Sequence, residues 1–431
     1  MSALPSIPRR VDLGAVTVLV GHVLDVLDAV PDASVQSIVT SPPYWGLRDY
    51  GCAPIDWPAV EYAPIWYLPP VRVEAMRCAL GLEPDVASFI AHMVLVFRGL
   101  RRVLRDDGTC WVNLGSSYAT GTNAPRGASV ERDGQDKPAG WTNRCQDTRR
   151  SPEGLAAKQF VHQPSLLALA LQADGWFWRS ETIWEKPSPM PSSVTDRPTV
   201  SHEQVLLFAK SPRYFYDATA IREPDSGQPA GNGLAGRQGG ARNTVVRGGI
   251  GSTEPWQPGA GRNARTVWKI PAAPFKGAHF ATFPPELARR CILAGTSERG
   301  ACAACGAAWA RVLERVGNPE RNWREFDTPS ELYGAHGRRR RSQGHAPNVG
   351  ANSVPRAFAG WRPTCGCVGA AVVRCTVLDP FGGSGTTGAA AKTLGRTALL
   401  CEAQPEYLPL IARRVAEAPA YQPALDLGGV R

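Results

Sequence analysis

The amino-acid sequence predicts an α/β fold, in which apolar strands alternate with helices. Two Val-rich runs, residues 16–20 and 35–40, are typical of strands that are covered on both faces. Near the C-terminus, residues 374–402 combine a short apolar strand, a glycine-rich loop, an Ala-rich helix and a second strand. Strands and helices that follow one another in this way favour a layered α/β domain.

The elements between these two ends continue the alternation. Apolar side chains recur at spacings of three and four over residues 87–104, which predicts an amphipathic helix. A turn is predicted at 106–108, where two aspartates precede a glycine. A strand that starts at Cys110, a helix over about 160–173 and a strand from Phe177 to Trp184 follow.

The composition favours a soluble, intracellular protein with a polyanionic partner. The chain has 431 residues, 43% of them hydrophobic, so it is able to bury a sizeable core. Its formal net charge of +10 is consistent with nucleic-acid binding, although charge alone does not establish it. No signal peptide and no membrane span are found, and a cytoplasmic location is expected.

Three polar stretches rich in Gly, Pro and Arg interrupt the α/β pattern at about 120–152, 223–263 and 316–360. Loops of this length are uncommon in compact domains and are functional or solvated linkers. Arginine forks bind phosphate well, so contact with phosphate groups is favoured over a linker role. The candidate DNA-binding residues are Arg338, Arg339, Arg340 and Arg341.

The glycine-rich loop predicts a nucleotide-like ligand. Gly383, Gly385 and Gly388 follow a strand and open a helix, and Glu402 stands about 20 residues after the first of them at the end of the next strand. This order suits a carboxylate that binds ribose hydroxyls and a helix N-terminus that favours negative charge. A nucleoside triphosphate is excluded because Ala389 stands where a lysine is required, whereas a nicotinamide dinucleotide and S-adenosylmethionine both remain.

A second motif, Ser41-Pro42-Pro43-Tyr44, follows the predicted strand at 35–40. The prolines have no amide hydrogen, so this turn offers acceptors and an aromatic ring. The Ser41 hydroxyl and the Pro42 carbonyl are therefore suited to hold an amino group while Tyr44 stacks on its base. A proline-rich loop with a packing tyrosine is the alternative.

Together the two motifs resemble those of the β-class amino-DNA methyltransferases, including phage and prophage members. That family carries Ser/Asp/Asn-Pro-Pro-Tyr/Phe early and Asp-Pro-Phe-x-Gly-Ser-Gly-Thr late, as residues 41–44 and 379–386 do here. Residues 279–287 and 21–25 are similar to segments that enclose the methionine moiety and face the adenine of the cofactor. Segments 184–187 and 202–210 are also similar to members of the family.

The resemblance implies a doubly wound, mostly parallel sheet of the S-adenosylmethionine-dependent methyltransferase type. It is circularly permuted, so that the catalytic half precedes the cofactor half, and both motifs meet at the carboxyl ends of the strands. The implied catalytic residues are Ser41, Pro42, Pro43 and Tyr44. The implied cofactor-binding residues are Asp25, Phe280, Thr282, Phe283, Asp379, Phe381, Gly383, Ser384, Gly385, Thr386 and Glu402.

The implied activity is transfer of a methyl group from S-adenosylmethionine to the exocyclic amino group of a flipped base in duplex DNA. Cytosine N4 is preferred and adenine N6 is the alternative, because the form with Ser41 resembles cytosine enzymes while Asp or Asn is commoner in adenine enzymes. A catalytically inactive DNA-binding module that uses zinc and Arg-rich loops is the alternative from another class. A nicotinamide dehydrogenase, and methylation of RNA or of protein glutamine, are weaker alternatives.

Four cysteines form two close pairs that predict a structural zinc site. Cys302 and Cys305 precede Gly306, as in a zinc knuckle, and Cys365 and Cys367 form the second pair. Residues 306–364 separate the pairs, which is longer than usual for such sites. Buried free thiols and redox chemistry are the alternatives.

The predicted organisation is one catalytic domain with insertions. A homodimer and a cognate restriction endonuclease are open at this point, as are the recognition sequence and the target base. The predicted segments are the catalytic half with the Ser-Pro-Pro-Tyr motif (11–118), a loop insertion (119–152), the continued catalytic half (153–222), a candidate target-recognition loop (223–265), a cofactor-side segment (266–300), a Cys/Arg-rich insertion (301–370) and the S-adenosylmethionine-binding half (371–417).

Overall fold

The computed structural model describes residues 8–47, 50–119, 155–189, 191–223, 262–272, 283–315 and 356–422. The helices in these residues are α1 (Val23–Asp28), α2 (Val86–Val103), α3 (Gln163–Ala173), α4 (Pro285–Gly295), α5 (Thr386–Thr393) and α6 (Leu408–Glu417). The strands are β1 (Arg9–Asp12), β2 (Val16–Val20), β3 (Val35–Thr40), β4 (Ile55–Trp57), β5 (Val60–Tyr62), β6 (Val71–Val73), β7 (Met76–Cys78), β8 (Leu104–Leu114), β9 (Ser117–Tyr118), β10 (Phe160–Val161), β11 (Phe177–Glu185), β12 (His202–Ala209), β13 (Val267–Lys269), β14 (Ala301–Cys302), β15 (Trp309–Arg315), β16 (Arg356–Pro363), β17 (Val372–Val373), β18 (Thr376–Asp379) and β19 (Thr397–Glu402).

The main sheet of the described residues has nine strands in the order β1-β2-β19-β18-β3-β8-β12-β11-β13. Strands β2, β19, β18, β3 and β8 are mutually parallel, whereas β12 is antiparallel to both β8 and β11. The two strands nearest the C-terminus thus insert between two strands of the N-terminal part. This order confirms the predicted α/β class and the permuted, mostly parallel sheet.

Helices cover both faces of this sheet. The apolar residues of α1, α2 and α3 belong to one buried cluster, and those of α4, α5 and α6 belong to a second. The predicted helix at 87–104 is α2, and its start is fixed by Asp85, whose carboxylate accepts a hydrogen bond from the Ser88 amide at 2.7 Å. The apolar stripe of α2 is buried against the sheet, as its spacing predicts.

Two predicted elements differ from the structure. The expected turn at 106–108 lies inside β8, which begins directly after α2. The pairing of β8 with β3 is shifted in this stretch: Val35 pairs with Leu104, and the next pair is Ser37 with Thr109. The extra residues form a bulge that accommodates the Asp-Asp-Gly sequence within a strand. The helix expected from about 160 begins at Gln163, because Pro164 suits a first helical turn and residues 160–161 pair with β9.

The chain divides into two compact units, of which the larger comprises residues 1–221, 265–310 and 363–431. The smaller comprises residues 222–264 and 311–362, and its described part includes most of β15 and β16. Within the smaller unit, the Arg311 guanidinium stacks on Trp361 at 4.5 Å from the ring centroid. None of the helices in the described ranges is both long and apolar enough to span a membrane.

Candidate active site

The two sequence motifs meet at the carboxyl edge of the main sheet. Ser41 follows the last residue of β3, and the glycine-rich loop follows the last residue of β18, the neighbour of β3 in the sheet. A cavity of about 520 Å³ lies at this edge. Ten of the predicted site residues line it: Ser41, Pro42, Pro43, Tyr44, Phe283, Phe381, Gly383, Ser384, Thr386 and Glu402.

Asp379 does not line the cavity, in contrast to the cofactor-binding role expected for it. Its buried carboxylate accepts hydrogen bonds from the Thr40 and Thr387 hydroxyls, each at 2.7 Å, and from the Phe381 amide at 3.1 Å. Burial raises the pKa of this carboxyl to about 7, against the lowering effect of those hydrogen bonds. Asp379 therefore joins the end of β3 to the glycine-rich loop and to α5.

The glycine-rich loop is shaped by backbone conformation and by Glu402. Gly385, which caps α5, has a φ of 80°, a left-handed conformation that glycine adopts without strain. The Gly383 amide donates to one carboxylate oxygen of Glu402 at 2.7 Å, and the Gln404 amide donates to the other at 2.9 Å. Burial raises the pKa of Glu402 to about 7.

Other predicted residues lie elsewhere. Asp25 is exposed in the first turn of α1 and does not line the cavity. The His22 side chain accepts a hydrogen bond from the Leu24 amide, so the helix begins at Val23. His22 and Val23 therefore line the cavity instead. Gly385 also lies outside the lining. Phe280, Thr282 and Arg338–Arg341 fall outside the described residues. The four paired cysteines form a separate cluster.

Tyr44 is held by a polar network that the sequence analysis did not predict. Its hydroxyl donates to a Glu203 carboxylate oxygen at 2.6 Å, and the same oxygen accepts from Nδ2 of the Asn113 side chain at 3.1 Å. Lys186 forms an ion pair with the other oxygen of Glu203. Burial, followed by the nearby Glu203 charge, raises the pKa of Tyr44 well above its ordinary value.

The sheet order explains how these residues meet. Asn113 lies at the carboxyl end of β8 and Lys186 directly after β11, while Glu203 lies at the amino end of the antiparallel strand β12. All three therefore reach the same edge as Tyr44. Only the resemblance of segments 184–187 and 202–210 to family members pointed to Lys186 and Glu203, and it assigned them no role.

The Tyr44 ring packs tightly against the chain after β8. A Cβ atom added at Gly115 would lie 2.8 Å from Cε2 of Tyr44, so only glycine allows this approach. Trp45 is buried in the core, where its indole donates to the Glu83 carbonyl at 3.0 Å, and it does not line the cavity. Tyr44 is thus the aromatic residue that the motif presents to the cavity.

The cavity has features that S-adenosylmethionine requires. Its volume is in the usual range for small-molecule sites. Each oxygen of an ionised Glu402 accepts one backbone amide and keeps a further lone pair, so the carboxylate is able to accept two ribose hydroxyls. The residues present therefore fit this cofactor.

Comparison with known proteins identifies the family. A family model described as "DNA methylase" matches residues 35–303 and 374–413, which include both motifs. The chain belongs to this DNA methylase family. It is an S-adenosylmethionine-dependent amino-DNA methyltransferase, and DNA is its partner. The family match passes over residues 304–373, which contain three of the four paired cysteines.

The relatives of this chain include proteins named Type II methyltransferases. M.Cfr9I of Citrobacter freundii is 39% identical over 66% of this chain and 74% of its own length. M.XycI of Xanthomonas campestris pv. cyanopsidis is 39% identical over 67% of this chain and 75% of its own length. M.SmaI of Serratia marcescens is 34% identical, with 67% and 78% covered.

Two solved structures align with most of this chain. The cytosine-N4-specific PvuII DNA methyltransferase is 15% identical with a TM-score of 0.45, over 93% of this chain and 86% of that one. The M1.HpyAVI–SAM complex is 13% identical with a TM-score of 0.37, over 93% and 99%.

Proposed function

We propose that this enzyme methylates the N4 atom of cytosine at one short duplex sequence. The observation that carries the choice of base is Ser41, the first residue of the motif. A neutral hydroxyl stands there instead of the Asp or Asn that is commoner in adenine enzymes. Adenine N6 is the second candidate, because both bases present an exocyclic amino group to the same acceptors.

Ser41 and Pro42 act as preorganised acceptors in this proposal. The lone pair of an exocyclic amino nitrogen is delocalised into the base ring, which makes it a poor nucleophile. When the Ser41 oxygen and the Pro42 carbonyl accept the two amino hydrogens, the lone pair turns out of conjugation. Ser41 and Pro42 both line the cavity, which supports this role.

Tyr44 supplies the stacking face for the flipped base, and Glu203 fixes the ring through the phenol hydroxyl. Bound S-adenosylmethionine supplies a methyl group on a positively charged sulfur. Glu402 and the glycine-rich loop would hold the ribose and methionine parts, with Phe283 and Phe381 as apolar walls of the cavity. The bond from the methyl carbon to sulfur would break as its bond to the amino nitrogen forms, which would leave a neutral thioether. The nitrogen would release one of its protons to solvent, and no covalent link to the enzyme is needed.

The base is identified by incubating the enzyme with labelled S-adenosylmethionine and unmethylated duplex DNA, digesting the product and separating the nucleosides. We expect label in N4-methylcytosine. Label in N6-methyladenine would overturn the choice of cytosine. Tyr44→Ala is expected to lower transfer strongly while it keeps cofactor binding, and Tyr67→Ala, which alters a tyrosine that is 64% exposed, serves as the matched control.

We also propose a role in sequence-specific modification, on the strength of the relatives named Type II methyltransferases. Mapping of the methylated bases in a random-sequence DNA library is expected to return one short sequence. Methylation spread over unrelated sequences would contradict the proposal. Whether the enzyme is a dimer is tested on the same preparation by measuring its mass in solution.

The Arg-rich stretch is proposed to contact the DNA backbone. Replacing Arg338–Arg341 with alanine removes four positive charges. If all four contact phosphates, the slope of log affinity against log salt becomes shallower by about 3.6, at about 0.9 for each phosphate contact. An unchanged slope would assign the stretch to a solvated linker.

A further inference from the structure

The four cysteines of the two close pairs converge in space, although residues 306–364 separate the pairs. The sulfur atoms of Cys302, Cys305, Cys365 and Cys367 all lie within 4.8 Å of one another, and none of them forms a disulfide. Four thiolates around one zinc ion at about 2.3 Å would have sulfur–sulfur distances of roughly 3.8 Å. The cluster therefore needs only small side-chain movements to reach tetrahedral geometry.

The backbone around the first pair already has the form of a ligand-bearing turn. The Gly306 amide donates to the Cys302 carbonyl at 2.7 Å, and the Cys302 amide donates to the Ala307 carbonyl at 2.9 Å. Gly306 has a φ of 71°, which lets the chain reverse directly after Cys305. This turn brings both cysteine side chains of the first pair to one point.

The second pair is held against the first by hydrogen bonds that do not involve the sulfurs. The Thr364 hydroxyl donates to the Ala308 carbonyl at 2.6 Å. The Ala303 amide donates to the Ala371 carbonyl at 2.8 Å, and β14 pairs with β17. The two pairs are thus held together by hydrogen bonds on either side of the cluster.

The cluster is attached to the amino edge of the main sheet, opposite the cavity. Gln36 lies near the start of β3, and its Nε2 donates to the Gly306 carbonyl at 3.1 Å. Its side-chain oxygen accepts from the amide of Thr376, the first residue of β18, at 2.7 Å. The Arg105 guanidinium donates to the Cys305 carbonyl. A metal at this edge is remote from the reacting base and has no open position for substrate.

We propose that these four cysteines bind one structural zinc ion, which joins the two ends of the 306–364 segment to the catalytic sheet. A cross-link that closes a long loop restricts the unfolded chain strongly, which gives such an ion a mechanical purpose. Three of the four ligands lie in residues 304–373, which the DNA methylase family model does not match. The site is thus an addition to the shared catalytic fold.

The test measures metal content, so it does not depend on the proposed choice of base. The protein, purified and dialysed in metal-free buffer, is expected to contain one zinc ion per chain, as measured by inductively coupled plasma mass spectrometry. Cys365→Ser/Cys367→Ser is expected to lose the zinc. Cys78→Ser is the matched control, because Cys78 belongs to a separate group with Glu83 and His92 and its loss should leave one zinc in place.

A second measurement covers the case in which the double variant fails to fold. Cobalt(II) exchanged into the wild-type protein is expected to show the intense absorption of thiolate-to-cobalt charge transfer and of a tetrahedral site. Wild-type protein without zinc that also gives no such cobalt spectrum would overturn the proposal. Zinc retained at one per chain in the folded double variant, or lost in Cys78→Ser, would also overturn it.

Discussion

The affinity of this enzyme for its cofactor is expected to depend on pH through Glu402. Burial raises the pKa of this carboxyl to about 7, against an ordinary value near 4.5. Ribose hydroxyls donate hydrogen bonds, so the ionised carboxylate is the form that binds them with both oxygens. Affinity should therefore rise as the pH passes upward through 7.

The size of the effect follows from the fraction of Glu402 that is ionised. If only the ionised form binds, the apparent Kd at pH 6 is about tenfold higher than at pH 8, which corresponds to about 1.4 kcal/mol. Glu402→Gln should remove this dependence, because an amide does not titrate. It should also weaken binding at pH 8, since its NH2 group must face the amide of either Gly383 or Gln404. Two N–H donors that face each other without an acceptor reduce the binding free energy by about 1–3 kcal/mol.

Calorimetric titration with S-adenosylhomocysteine from pH 6 to pH 8 measures this effect. Glu406→Gln is the matched control, because it makes the same change at an exposed position near Glu402. A flat wild-type affinity over this range would refute the reasoning. So would a tenfold dependence that persists in Glu402→Gln and disappears in Asp379→Asn, since Asp379 has a similar pKa but lies outside the cavity lining.

Three further outcomes are expected. Tyr44→Phe should lower the transfer rate about tenfold through loss of the bond to Glu203, and Tyr44→Ala should lower it further by the stacking energy of about 1–3 kcal/mol, both measured in single-turnover assays. Gly115→Ala should reduce transfer without changing cofactor affinity, because the added methyl displaces the Tyr44 ring; an unchanged rate would show that the ring adjusts freely. Asp379 has a pKa of about 7 in the folded protein, above its unfolded value of 3.8, so its neutral form stabilises the fold fully below pH 4 and this stabilisation is lost as the pH rises through 7. The melting temperature of Asp379→Asn minus that of the wild type should therefore increase between pH 5 and pH 8. A constant difference would contradict this.

The parts of the site that the sequence predicts are those encoded in contiguous motifs. Ser41–Tyr44 and the loop at 379–386 each follow a strand, and parallel strands bring their carboxyl ends to one edge. Their proximity depends on β18 lying beside β3, which the family resemblance implied and local patterns could not. Periodicity reports the burial of one element and does not report its neighbour in the sheet.

The residues that escaped prediction depend on long-range pairing. Glu203 reaches Tyr44 only because β12 runs antiparallel to β8, which brings its amino end to the edge where the other strands end. A single acidic residue at the start of an apolar strand carries no such information. Asp25 shows the converse, because the helix cap at His22, three residues earlier, determines which side chains of that turn face the cavity.

Asp379 indicates why the two motifs function as one unit. Its carboxylate bonds Thr40, the residue before Ser41, and also the Phe381 amide in the glycine-rich loop. A change in the position of either loop must therefore be accommodated at a buried group with three hydrogen bonds, which is costly. The acid of the cofactor motif thus fixes the distance between the cofactor loop and the acceptors for the base, and transfer between two bound molecules depends on that distance.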